Sequence, residues 1–149
     1  MSRLEIVTDC PSPELEAVRV LARLSRLLER GSGELSLAHY RVLASVADGH
    51  ERASRVAARL ALGKPTISAS VDALCRRGLL TRDTAEDQRA ATLRITPAGR
   101  EVLAEVDAGL IARLEAVLAE VDDRAAAIVA IHALGNALDA VADARLGRL

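Results

Sequence analysis

The sequence predicts a mainly α-helical chain with one small β-hairpin, and three observations predict it. Apolar residues recur in steps of three and four along most of the 149 residues, the period of a single helical face. That period gives way to alternation only over residues 79–95, on either side of a polar tip. Residues 54–96, SRVAARLALGKPTISASVDALCRRGLLTRDTAEDQRAATLRIT, run in order as short helix, turn, second helix and two strands. This is the order of a winged helix-turn-helix, a unit that lays its second helix in a DNA groove and its basic hairpin beside it. The long patterns on both sides add flanking dimerisation helices.

Each element has a local reason. Ser12-Pro13 opens the first helix as N-cap and pre-shaped first position, and Leu15, Val18, Leu21, Leu24 and Leu28 make one apolar face. Gly31-Ser32-Gly33 ends it. A second helix follows Ser36, with Leu37, Tyr40, Leu43 and Val46 inward, and stops at Asp48-Gly49. Ser54 is expected to cap a short third helix, and Leu62-Gly63 makes the turn. The fourth helix begins near Lys64, where Pro65 is harmless because first-turn N–H groups have no helical partner. Its inward stripe is Ile67, Val71 and Leu74, and Gly78 ends it. Residues 79–82 and 92–95 read as the two strands, with residues 83–88 as the tip. Thr96-Pro97 opens a long fifth helix whose stripe runs from Val102 to Val121, and Asp122-Asp123 caps a sixth.

Composition narrows the function. Half the residues are apolar, which excludes disorder, but the only aromatic is Tyr40. The core is therefore aliphatic, and single-strand binders that stack bases on aromatic platforms are disfavoured. The net charge of −1 is uneven: residues 52–100 hold ten Lys/Arg against four acids, whereas residues 1–51 are −2 and residues 101–149 are −5. A basic middle between acidic flanks is the footprint of a nucleic-acid module on a neutral or acidic scaffold. No apolar run reaches the ~20 residues of a membrane span, and no signal-like stretch opens the chain, so a cytoplasmic location is expected. Two cysteines are too few for a disulfide framework. There is no Gly-rich phosphate loop, nucleophile elbow or metal motif, so the expectation is a non-enzyme without cofactor or metal.

The motifs GKPTISASVDAL, RRGLLTR, EDQR and LRITPAG, in register on helix, strand, tip and next helix, resemble the MarR (multiple antibiotic resistance regulator) family along nearly the whole chain. The resemblance implies a homodimeric winged-helix regulator of double-stranded DNA, often a repressor. Many members release DNA when a small anionic or phenolic effector binds between the lobes, and some sense oxidants through cysteine. It divides the chain into an N-terminal segment and first dimerisation helix (1–35), a DNA-binding lobe (36–100) and C-terminal dimerisation helices (101–149). It sets helix 64–77 in the major groove and wing 79–95 on the flanking minor groove. By the resemblance Arg89 at the wing tip reaches the minor groove or an adjacent phosphate, and Asp87 braces it.

The expected DNA-binding set is Ser54, Arg55, Lys64, Pro65, Thr66, Ser68, Ala69, Asp72, Arg76, Arg82 and Arg89. Two features depart from the family pattern: Ala69 stands where a long polar side chain is common, and the wing is about one residue short. The fourth helix offers thymine-methyl contacts from Thr66 and Ala69 but no Arg or Gln at its early exposed positions for bidentate base reading. Binding weighted toward phosphate and shape follows, as does an alternative role as a degenerate winged-helix module that binds protein. Leu15, Arg19, Tyr40, Arg41 and Leu43 are the candidate ligand pocket, although a lone aromatic on an apolar helical face is more often core. Cys10, just before the first helix, is the candidate redox thiol, with an ordinary surface cysteine as the plainer reading. His39, His50 and His132 are scattered, without metal-ligand spacing.

Overall fold

The structure is a computed structural model, and it describes residues 12–83 and 91–146. Six helices and one hairpin follow in order: α1 (Pro13–Glu29), α2 (Leu37–Ala47), α3 (Ala53–Leu60), α4 (Lys64–Arg76), β1 (Leu80–Asp83), β2 (Thr92–Ile95), α5 (Pro97–Leu118) and α6 (Arg124–Leu146). The mainly α class with a hairpin wing is therefore as the sequence predicts.

The helix starts show how local chemistry sets boundaries. Ser12 Oγ accepts from the Leu15 N–H at 3.3 Å and Ser36 Oγ from the His39 N–H at 3.2 Å, each quenching a donor that the first turn leaves over. Asp123 Oδ1 does the same for Ala126 at 2.9 Å. Helix α3 differs from expectation. Its N-cap is Arg52, with no side-chain cap bond, and Ser54 lies inside the first turn. The reason is a strand-like contact: Arg52 bridges to Thr92 and the Leu93 N–H donates to the Glu51 carbonyl at 2.6 Å. The chain is extended up to Arg52 and turns helical immediately after it.

Between α3 and α4 the left-handed residue is Ala61 (φ 52°), while Gly63 (φ −66°) is the N-cap of α4. Gly78 (φ 70°) ends α4, as predicted, and lets the Leu79 N–H return to the Leu74 carbonyl at 3.0 Å. That bond holds Leu79 to the helix end, so β1 begins one residue later than the alternation suggests. The hairpin is antiparallel, with Leu80 opposite Ile95 and Asp83 opposite Thr92.

The core lies in the winged lobe and is aliphatic throughout. Val42 and Leu43 of α2, Val56 of α3, Ile67, Val71 and Leu74 of α4, and Leu80 and Leu93 of the hairpin are buried, joined by Val106 and Leu110 from α5. Each fully buried Val or Leu contributes roughly 1.5–3 kcal/mol. The flanking helices are different. Helix α1 buries no residue, and on α6 Val129 and Leu138 are 67% and 69% exposed. Helix α6 turns back from α5, with Arg124 Nη2 paired to Glu115 Oε1 at 2.6 Å, and packs on α3. By length and composition α6 is also apolar enough to cross a membrane, although His132, Asn136, Asp139 and Asp143 break it into shorter apolar runs.

Candidate nucleic-acid interface

The exposed face of α4 follows from its buried one. Ile67, Ser70, Val71 and Leu74 point inward, so Pro65, Ala69, Asp72 and Arg76, in steps of four, three and four, line the opposite face. Thr66 and Ser68 flank that line and are exposed. Gly63 supplies no side-chain cap, so the first turn of α4 keeps free N–H groups and the positive end of its dipole, a favourable place for a phosphate. Lys64 sits at that end, and Ser54 and Arg55 are exposed in the first turn of α3. Among the described residues, Arg55, Lys64 and Arg76 have no carboxylate within 4 Å. These cations are available to an outside anion.

Three other arginines of this region are tied down, a feature the sequence did not reveal. Arg82 Nη2 of β1 meets Asp72 Oδ1 of α4 at 2.8 Å, joining the wing to the exposed helix face. Arg94 Nε of β2 meets Asp83 Oδ2 at 2.8 Å across the hairpin, and its Nη1 lies 3.8 Å from Glu51. Arg59 Nη1 of α3 meets Asp139 Oδ1 of α6 at 3.1 Å. Such pairs join elements far apart in the chain, so no spacing rule exposes them. Arg89, Asp87 and Cys10 lie outside the described residues.

The candidate pocket residues separate. Tyr40 and Arg41 border a crevice of about 330 Å³ between α2 and α5, with Leu28, Leu37, Asp107, Leu110, Ile111 and Leu114. The Tyr40 hydroxyl donates to Asp107 Oδ1 at 2.8 Å. Burial, and then that carboxylate, push the Tyr40 phenol up to about 12, so it stays a neutral donor across ordinary pH. Leu43, in contrast, is fully buried in the core, and Leu15 and Arg19 are exposed on α1 outside the crevice lining. Helix periodicity put Leu43 on the same face as Tyr40 but could not tell lining from core. A second crevice, of about 470 Å³, separates α3 from α6, with Arg52, Arg55 and Arg59 facing Asp139 and Asp143. Cys75 of α4 is half-buried and unpaired. Among the described residues no three His, Cys, Asp or Glu converge as metal ligands would.

Residues 35–99 match the family model described as a winged helix DNA-binding domain. Solved structures match nearly end to end. A MarR-family transcriptional regulator from Rhodococcus sp. RHA1 superposes with a TM-score of 0.70 at 22% identity, over 87% of this chain and 91% of that one. This chain carries a winged-helix DNA-binding domain on the MarR-type fold. The transcriptional repressor CouR, bound to a 23-mer DNA duplex, gives a TM-score of 0.73 at 24% identity, over 91% of this chain and 98% of that one. PcaV, a transcriptional regulator from Streptomyces coelicolor in complex with its natural ligand, gives 0.65 at 25% identity, over 92% and 99%. A comparison with curated protein sequences gives no match. In the MarR-type fold, residues 35–99 are the α2–α4 and hairpin lobe, which holds the exposed α4 face and its cations.

Proposed function

We propose that this protein is a homodimeric regulator of transcription that binds double-stranded DNA in the cytoplasm and acts as a repressor, not an enzyme. The carrying observation is the uncapped, exposed α4 with Lys64 and Arg76 unpaired along it, on a winged-helix domain whose α3 also exposes an unpaired Arg55. In this reading residues 36–100 bind DNA, and segments 1–35 and 101–149 supply the dimerisation helices. Helix 64–77 enters the major groove and wing 79–95, with Arg89 braced by Asp87 at its tip, lies on the flanking minor groove. The exposed Val18 and Leu21 of α1, Ile111 of α5, and Val129, Leu134 and Leu138 of α6 form the dimer face, because a monomer would leave them in water. The Tyr40–Arg41 crevice is the seat of a small-molecule effector, consistent with the ligand-bound state of the PcaV relative. Cys10 is the candidate oxidant-sensing thiol.

The test is a salt series with the full chain, using its own upstream DNA and random duplex. Binding should weaken linearly in log K against log salt, by ~0.9 per phosphate neutralised, and favour the upstream DNA. Arg89→Ala should lower that slope by ~1. Ala69, which cannot read a base by hydrogen bonding, favours the second reading as a protein-binding module, and absence of any salt-dependent DNA binding would establish it over the first. Sedimentation should give a dimer that Leu138→Glu dissociates.

A further inference from the structure

Helix α4 presents Pro65, Ala69, Asp72 and Arg76 outward, and the early part of that line holds no long donor for a base edge. The structure supplies one from outside the helix. Arg82, on β1, extends across to α4, where its Nη2 meets Asp72 Oδ1 at 2.8 Å. Both side chains stay roughly half exposed, at 42% and 47%, so the pair lies at the surface and not in the core. One turn before Asp72 stands Ala69, whose small side chain leaves room for a duplex to approach the guanidinium.

We propose that Arg82 is the base-reading side chain of the recognition face, directed at a guanine in the major groove, and that Asp72 is the positioning residue that aims it. The proposal rests on the DNA-binding reading above. A guanidinium carries five donors in a rigid planar fork. The ion pair with Asp72 engages the Nη2 end of the fork, and the described residues offer Arg82 no other ion-pair partner. Enough of the fork remains to donate to the O6 and N7 acceptors of guanine, the commonest specific arginine contact. Fixing one side of the fork in advance reduces the rotamer freedom lost on binding. Asp72 also explains itself in this way. A lone carboxylate facing DNA would repel it, whereas one paired with an arginine does not. As a device for stability alone, a half-exposed pair of this kind contributes little. The Asp83–Arg94–Glu51 group already ties the two strands to each other and to the segment before α3.

The experiment starts from the duplex that the full-length wild type selects from a random pool, with each base pair of one half-site then replaced in turn. The wild type should lose roughly 5- to 100-fold in affinity when one particular G·C pair becomes A·T. Arg82→Lys keeps the charge and should keep the salt slope, but should shrink that one penalty to under about 3-fold. Asp72→Asn should fold as the wild type does, bind random DNA at least as tightly, and lose discrimination at the same pair. If Arg82→Lys keeps every base preference, or Arg82→Ala only lowers the salt slope by ~1 with unchanged preferences, Arg82 is a phosphate contact and the proposal is wrong. Salt-dependent binding without any selected sequence overturns this proposal and leaves DNA binding standing. Absence of DNA binding overturns both.

Discussion

Gly99 is the most demanding glycine in the described structure, and Gly99→Ala tests how the wing is fixed to α5. Gly99 occupies the first turn of α5, where its N–H donates to Thr96 Oγ1 at 2.9 Å. The same Thr96 hydroxyl donates to the Gly78 carbonyl at 2.7 Å, and the Thr96 N–H to the Leu79 carbonyl at 3.1 Å. Thr96 thus clamps the end of α4 to the start of α5. An added Cβ at residue 99 would collide with the Leu79 carbonyl oxygen and stand 2.9 Å from Ile95 Cγ1. The first obstacle is backbone, held by the clamp itself, so it cannot swing aside as a flexible side chain would. Overpacking of this kind costs about 1–3 kcal/mol. A loosened Thr96 cap adds about 1 kcal/mol, and the better helix propensity of Ala returns about as much. The net expectation is a loss of about 1–3 kcal/mol. Urea unfolding at matched protein concentration measures it, with the midpoint lowered and the slope unchanged. A variant as stable as wild type, or more so, would refute the clamp as drawn.

Other outcomes follow from single residues. Ala61→Gly should stabilise by about 0.5–1 kcal/mol, because Ala61 holds a left-handed conformation whose strain of ~1–2 kcal/mol exceeds the added unfolded-state freedom of glycine; a midpoint that falls would contradict this. Tyr40→Phe should cost about 0.5–1.5 kcal/mol at neutral pH, the net value of its bond to Asp107. Since the Tyr40 pKa is raised to about 12, the folded state holds the proton more tightly than the unfolded state. That contribution is whole below pH 10 and fades as pH rises from 10 toward 12, and the wild-type minus Tyr40→Phe stability difference should shrink over that window. Leu43→Ala should cost about 2–5 kcal/mol, as a fully buried leucine does, and a smaller loss would point to a lining position instead.

Much of the fold was legible in the sequence because its signals are local. Ser12, Ser36, Thr96 and Asp123 cap where their spacing to the first helical turn says they should. Gly78 stops α4, and the inward stripe Ile67, Val71 and Leu74 alone dictates which face of α4 meets solvent. The concentration of positive charge in residues 52–100 needed only counting. Ser54 misled because a hydroxyl before an apolar run resembles a cap, whereas the bridge from Arg52 to Thr92, forty residues away, decides where α3 begins.

The tertiary structure decided everything that depends on which distant side chains meet. Periodicity put Tyr40 and Leu43 on one helical face, but only the arrival of α5 made one a crevice wall bonded to Asp107 and buried the other. The T-P-x-G sequence at the start of α5 was a motif without a reason until Gly99 was seen against the Leu79 carbonyl. Nothing in the sequence links Asp72 to Arg82, and the fold joins them at 2.8 Å on the recognition face. Sequence by itself determined the elements, their faces and their charge, because hydrogen-bond caps and apolar periods act within a turn or two of chain. Pairings across ten or eighty residues follow from how those faces pack, and packing is a property of the whole chain.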